Sequence, residues 1–377
     1  MTFQQLLSNS PIIAFPRPGW ISNFLNARFR SPDIKLTTAK KILSQYGLEM
    51  VAQPRNLPNT RRNRNLIVHT NRGKKILKLY RDDWQTSTIT FEHSILGRLA
   101  ELGFSAPHLL STPDGLTWLN LENQNYCLFE FIEGRNYSSN FLVRPHRVQM
   151  MGTSGRTLAR LHKQLAGFLP EGQHHLGYKS YSEGRHRDID WHIEKVKEFS
   201  DRSGRIGNPE EKLYASWLVE HSSQLLEEMI GLDEILTLVD LPRIVIHGDY
   251  GLHNLIYQGL NKAIPVDYEL SRLEWRMSDL VSVVSKFRYK DGSYDYESIT
   301  QFMHAYQAEY PITDVEWEHF PLVWKYYKLM KAVQYWKSYF ETNGPVRKLK
   351  SSRDEIERAS WALNNPQRLA EFRVVVQ

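Results

Sequence analysis

The chain has 377 residues, with 48 Lys and Arg against 42 Asp and Glu and a net charge of +6, enough sequence for two domains or for two lobes around a cleft. Its 41% hydrophobic and 24% charged residues are a globular balance, which excludes disorder as the main state. The single cysteine, Cys127, excludes a disulfide framework, no apolar run reaches the roughly 18 residues of a membrane helix, and the modest positive excess lacks any motif that reads nucleic acid, so neither a membrane nor nucleic acid is an expected partner.

Residues 1–36 are rich in turn formers (Pro11, Pro16, Pro18, Gly19, Pro32) and read as an N-terminal extension. No basic residue precedes Arg17, and the apolar run at 11–15 is too short for a signal peptide, so a cytoplasmic protein is expected. Residues 37–46 read as a helix capped by Thr37 or Thr38 and stopped at Gly47. Two β-type runs at 66–69 and 75–80, joined by a turn at Asn71–Gly73, form a hairpin. Apolar residues at 91, 95, 96, 99 and 102 define a helix over 88–102 that ends at Gly103. A second hairpin is expected around Pro113–Gly115, followed by a strand over 126–132 that closes at Glu133-Gly134.

From about Pro145 the pattern turns helical, with apolar spacings of three and four at 154–165, 191–199 and 210–230. A β-rich island follows at 243–270, and helices return at 279–287, 298–310 and 317–339. The expectation is an α+β fold of two lobes: a small β-rich N-lobe at 37–133 and a larger helical C-lobe at 134–377. The cleft should lie near the Gly134 linker. The aromatics Trp324, Tyr326, Tyr327, Tyr335, Trp336 and Tyr339 recur at helical spacing and read mainly as core, and the adjacent His174 and His175, with no third ligand, as a solvated loop.

The segment Ile246-His247-Gly248-Asp249-Tyr250-Gly251-Leu252-His253-Asn254 carries the chemistry. An Asp and an Asn are separated by four residues on a tight loop between β runs, and Asp267 follows thirteen residues after Asn254. Phosphoryl transfer needs this inventory: a carboxylate (Asp249) to orient a hydroxyl and take its proton, with an amide oxygen (Asn254) and a second carboxylate (Asp267) to hold Mg²⁺ on nucleotide phosphates. His247 is expected to prop the loop rather than transfer a proton.

These residues resemble the aminoglycoside phosphotransferase and choline kinase group. His247-Gly248-Asp249 with Asn254 matches its H-G-D-x-x-x-x-N loop, and Val266-Asp267-Tyr268-Glu269 is similar to its second metal motif. The resemblance covers about residues 37–340 and implies a protein-kinase-like fold, ATP and Mg²⁺ as cofactors, and a small-molecule hydroxyl as phosphate acceptor. By the same resemblance Lys78 is the nucleotide lysine, with Lys75 as the alternative, and Glu92 its helix partner, with Glu101 as the alternative. Glu130, Phe131 and Ile132 would form the hinge that meets adenine. Asp279 would brace the catalytic loop, and residues 158–162 would be the helix that precedes it. Glu183, Asp188 and Asp190 fall where substrate-lining helices are expected, interleaved with Arg185, His186 and Arg187, which leaves the acceptor's charge open. The phosphate-covering segment 57–65 departs from the pattern in having no glycine. A kinase-like scaffold without turnover is the alternative function. A protein kinase fits less well, because the loop reads H-G-D rather than H-R-D and the stretch 268–278 is too short for an activation segment.

Overall fold

The computed structural model describes residues 34–57, 64–81, 85–137, 144–172, 189–289, 292–341 and 344–373. Most of the N-terminal extension, residues 58–63 of the glycine-free segment, His174, His175, Glu183, Arg185, His186, Arg187 and Asp188 lie outside the described residues.

Strand alternation organises the N-terminal half. Strands β1 (Met50–Asn56), β2 (Arg64–Thr70), β3 (Gly73–Leu79), β4 (Trp118–Leu121) and β5 (Gln124–Glu130) form one antiparallel sheet in the order β1-β2-β3-β5-β4. Leu66 and Val68 of β2, Leu77 and Leu79 of β3, and Tyr126 and Leu128 of β5 share a core with Ala39, Ile42 and Leu43 of helix α1 (Leu36–Gln45). The intervening residues face the other way. Cys127 and Phe129 pack with Ile89, Ile95 and Leu99 of α2 (Thr86–Glu101). Because side chains alternate, Lys78, which pairs with Cys127 across the β3–β5 ladder, falls on the α2 face.

The second hairpin differs from its expected position. β4 and β5 turn at Glu122–Asn123, both with positive φ (55° and 60°), which suits a two-residue turn between right-twisted strands. The turn at Thr112–Leu116 is a separate, earlier one, closed by the Gly115 N–H on the Thr112 carbonyl. Helix α1 is preceded by Lys35 at its N-cap, which gives no side-chain cap, and not by Thr37 or Thr38.

Helices α3 (Arg144–Leu165), α4 (Ile189–Ser203), α5 (Pro209–Glu220) and α6 (Ser222–Leu238) follow. The expected run over 210–230 is thus two helices, broken at His221. The β island comprises β6 (Arg243–Ile246), a hairpin of β7 (Leu255–Gln258) and β8 (Lys262–Pro265), and β9 (Arg272–Trp275), which pairs with β6. Helices α7 (Met277–Val284), α8 (Tyr296–Glu309), α9 (Asp314–Glu341), α10 (Arg347–Glu357), α11 (Trp361–Asn364) and α12 (Pro366–Arg373) complete the described residues. Trp324, Tyr326, Tyr327 and Trp336 are buried on α9, as expected of core aromatics. Among the described residues no helix is long and apolar enough to cross a membrane.

The segment between β5 and α3 is fastened to the β island. Arg135 and Tyr257 exchange both backbone hydrogen bonds, at 2.9 and 2.8 Å. Gly134, at φ +150°, lies so close to β7 that a Cβ there would sit 2.5 Å from the Ile256 side chain and 2.8 Å from the Tyr257 carbonyl oxygen. Only glycine permits this approach of linker to hairpin.

Candidate active site

His247, Gly248 and Asp249 follow β6 directly, and their geometry is set from below by Asp279 of α7. Its carboxylate accepts from the His247 N–H at 2.7 Å and the Gly248 N–H at 2.9 Å, and lies 3.2 Å from His162 of α3. Asp279 is fully buried. Burial alone would raise its pKa, but the His162 hydrogen bond and the charges around it hold it below the ordinary carboxylate range. Gly248 sits at φ +79°, with the Leu270 carbonyl oxygen 2.0 Å from where a Cβ would be.

His247 bridges two segments of the site. Its Nε2 lies 3.1 Å from the Val266 carbonyl, and its Nδ1 accepts from the Asp249 N–H at 3.4 Å. One neutral tautomer, with the proton on Nε2, satisfies both contacts. Burial, its main cause, depresses the imidazole pKa. The ring therefore ties the start of the loop to the residue before Asp267.

Asn254 closes the loop. Its Nδ2 donates to the Asp249 carbonyl at 3.0 Å and to Asp249 Oδ2 at 3.2 Å, while its own backbone carbonyl accepts from the Val266 N–H at 2.9 Å. With the nitrogen so engaged, Oδ1 is the atom of this side chain able to ligate a cation. Asp267 adopts the left-handed conformation (φ 69°, ψ 67°), rare for a residue with a side chain. Burial, then the neighbouring charges of Glu269 and Glu92, push its pKa up to about 7 despite the opposing pull of Lys78.

Lys78 and Glu92 are 5% and 3% exposed and form a buried pair, with Nζ 2.9 and 3.3 Å from the two carboxylate oxygens. Burial works against the ammonium, but Glu92, Asp267 and Glu269 together raise its pKa. Lys78 thus lies within electrostatic reach of Asp267. The alternatives are placed elsewhere. Lys75 bonds to Glu130 at 2.8 Å, and Glu101 meets Arg98 at 3.5 Å on the surface. Glu130 ends β5, and its N–H is engaged by the His108 carbonyl at 2.9 Å. Phe131 lies beneath the Lys74 ammonium, 5.1 Å from its ring centroid, and Ile132 follows outside the strand. Asp190 is exposed in the first turn of α4.

Asn136, Tyr80 and Lys286 make contacts that had no signal in the sequence. Asn136, just past the linker, donates its Nδ2 to the carbonyls of Leu252, His253 and Leu255 at 3.1, 2.7 and 3.0 Å. Tyr80 donates to Glu92 at 3.0 Å. Lys286, two residues past the end of α7, stands 3.4 Å from Asp249 Oδ1, while His253 Nε2 is 3.2 Å from Oδ2. Burial opposes ionisation of Asp249, and the His253 hydrogen bond and the Lys286, His253 and Lys331 charges outweigh it, so its pKa falls well below the usual carboxylate value.

A two-lobed α+β fold with this loop defines a phosphotransferase acting on small molecules. A model of the phosphotransferase enzyme family matches residues 55–314, and the chain belongs to that family. It is 22% identical over 292 residues to a homoserine kinase of Agrobacterium fabrum, covering 77% of this chain and 82% of the relative. Its fold matches a microcompartment-associated aminopropanol kinase with a TM-score of 0.62 at 15% identity, over 91% of this chain and 100% of the other. It also matches an amicoumacin kinase in complex with AMP-PNP, Ca²⁺ and Ami, with a TM-score of 0.61 at 13% identity, over 86% and 92% of the two chains. These likenesses bear out the protein-kinase-like fold and the enzymatic class, and the scaffold reading is set aside.

Proposed function

We propose that this protein transfers the γ-phosphate of ATP, with Mg²⁺, to the hydroxyl of a small alcohol in the cleft between residues 37–133 and 134–377, with Asp249 as the base. The observation that carries this reading is the hydrogen-bond chain His247–Asp249–Asn254–Val266, which gathers the loop carboxylate, the amide and the segment bearing Asp267 into one site. Asp249 orients the acceptor O–H. The oxygen attacks the γ-phosphorus, the bond to the β–γ bridging oxygen breaks, and the proton passes to Asp249 as ADP departs.

Asn254 Oδ1 and the Asp267 carboxylate fit a divalent cation. Among the described residues no group of three or more His, Cys, Asp and Glu gathers as a metal site, and Mg²⁺ ordinarily takes one or two protein ligands and fills the rest with phosphate and water. Burial, with the charges of Glu269 and Glu92, raises the Asp267 pKa, and a bound cation would favour its carboxylate. When bound, that ion neutralises charge on the transferring phosphate. Lys78, fixed by Glu92, would contact the α- and β-phosphates, and backbone groups of Glu130–Ile132 would meet the adenine edge. Because the Glu130 N–H is engaged by His108, that edge falls to the groups after it. The relatives are named for homoserine, aminopropanol and amicoumacin, so small alcohols are the first acceptors to test.

The test is ADP release by Asp249→Asn over such a panel. Removing the base lowers kcat by roughly 10²–10⁴-fold while MgATP binding, read by calorimetry, is retained. Undiminished ADP release in this variant overturns the assignment of Asp249.

A further inference from the structure

The two oxygens of Asp249 face different surroundings. Oδ2 is turned to Asn254 and His253, on the side that leads to Asp267, and Oδ1 is turned to Lys286 at 3.4 Å. Lys286 therefore stands on the edge of the carboxylate opposite Asn254. Residues of α9 add to this pair. Lys331 acts on Asp249, and Tyr327 and Tyr335 act on Lys286. Behind the tyrosines, Glu355 is held at 2.6 Å by Lys328 and at 3.9 Å by Arg288. Of these cations Lys286 and Lys331 act on Asp249, while Lys328 and Arg288 are engaged with Glu355. The Lys286–Asp249 contact is also long for a charge-assisted hydrogen bond, which ordinarily closes to about 2.7–2.9 Å.

From this juxtaposition we infer that the acceptor carries a carboxylate as well as a hydroxyl, and that Lys286, supported by Lys331, is the residue that selects it. The inference rests on the phosphotransferase reading of the same site. A group held by Lys286 and a hydroxyl held by Asp249 lie within roughly 4–6 Å of each other when each makes one ordinary hydrogen bond. A hydroxy acid with a backbone of about four carbons spans that distance. The carboxylate replaces Asp249 as the partner of Lys286, which leaves Oδ1 to accept the hydroxyl proton. An acceptor whose charged group is an ammonium would meet Lys286 and Lys331 as like charges.

Homoserine and 3-aminopropan-1-ol differ only in the carboxylate and test this directly. Wild-type kcat/KM, measured by ADP release, should favour homoserine by on the order of 10–100-fold, the worth of a hydrogen bond between charged groups. Lys286→Met should reduce kcat/KM for homoserine by on the order of 10–100-fold more than for 3-aminopropan-1-ol, with KM for ATP unchanged. Lys331→Met, further from Asp249, should narrow the preference in the same direction. Calorimetric binding of the two compounds to the full chain gives the same ordering independently of turnover. Equal use of the two compounds by the wild type overturns the inference. So does an equal loss with both in Lys286→Met accompanied by a raised KM for ATP, which would place the lysine on the nucleotide. If MgATP binds but neither compound yields ADP, homoserine binding that is selective and lost in Lys286→Met still supports the carboxylate subsite, and its absence refutes it. Failure of MgATP to bind at all would be a failure of the phosphotransferase reading instead.

Discussion

Asn136 places one amide nitrogen among three backbone carbonyls of residues 252–255, and nothing about an asparagine two residues past a Glu-Gly pair announces this. Hydrogen bonds from a side chain to distant backbone have no sequence period, so they become visible only when the chain is folded. The residues that were legible are those whose chemistry is unusual for their spacing: Asp249, Asn254 and Asp267 form a set of hard oxygen donors. The resemblance singles out Lys78 over Lys75, although both lie on β3 and both pair with a carboxylate. Asn136→Ala removes a donor shared by two part-buried carbonyls and the exposed carbonyl of His253. We expect a stability loss of about 0.5–1.5 kcal/mol and a fall in kcat larger than any change in KM for ATP, measured by urea denaturation and steady-state kinetics. Unchanged kcat would show that the loop holds its shape without Asn136. At the buried Lys78–Glu92 pair, Glu92→Ala leaves an ammonium short of its main partner, and about 3–5 kcal/mol of destabilisation is expected.

At the scale of elements, periodicity located the β2–β3 hairpin, helix α2 and the β island within a few residues. It failed where local chemistry outweighs period. Pro113–Gly115 carries the stronger turn residues, yet the β4–β5 reversal occurs at Glu122–Asn123, because pairing with the buried strand β5 decides the register. Helix α3 begins at Arg144, within a residue of where the helical pattern was expected to set in, and Pro145 is well suited to its first turn. The β6–β7 connection is the element on which the site depends, and Gly248 is its constraint. Gly248→Ala must relieve both the left-handed backbone and the Leu270 carbonyl. A cost above the roughly 1–2 kcal/mol of the backbone conformation alone is expected, with loss of activity. Gly115→Ala is the control: φ is +83°, but a Cβ would meet nothing within 4 Å, so only the conformational cost should appear and activity should persist. Equal costs for the two would mean that the loop shifts to accommodate the clash.

Across the whole molecule, three buried histidines couple folding to pH. His93 is lowered to about 4, mainly by burial, with Lys78 adding to it and Glu92 opposing; burial likewise depresses His162 and His247. Each binds a proton in the unfolded chain near its ordinary value of 6.5 before it does so in the fold. Their contribution is therefore fully present above about pH 6.5 and is lost as pH falls below it, at about 1.4 kcal/mol per pH unit for each histidine. Unfolding free energy measured in urea should drop on the order of 2–4 kcal/mol between pH 7.5 and 5.5, and by less in His93→Gln. A flat profile would show that these rings take up protons without unfolding.

The cleft is proposed to move a phosphoryl group from a nucleotide to a small alcohol. The most direct measurement supplies ATP labelled in its γ-phosphate, with and without Mg²⁺, together with homoserine and a panel of other small alcohols, and follows the label. The expected result is label in a phosphate ester of an alcohol, dependent on the metal and abolished in both Asp249→Asn and Asp267→Asn. Label that remains in ATP, or that passes only to water, whichever alcohol is present, would contradict it.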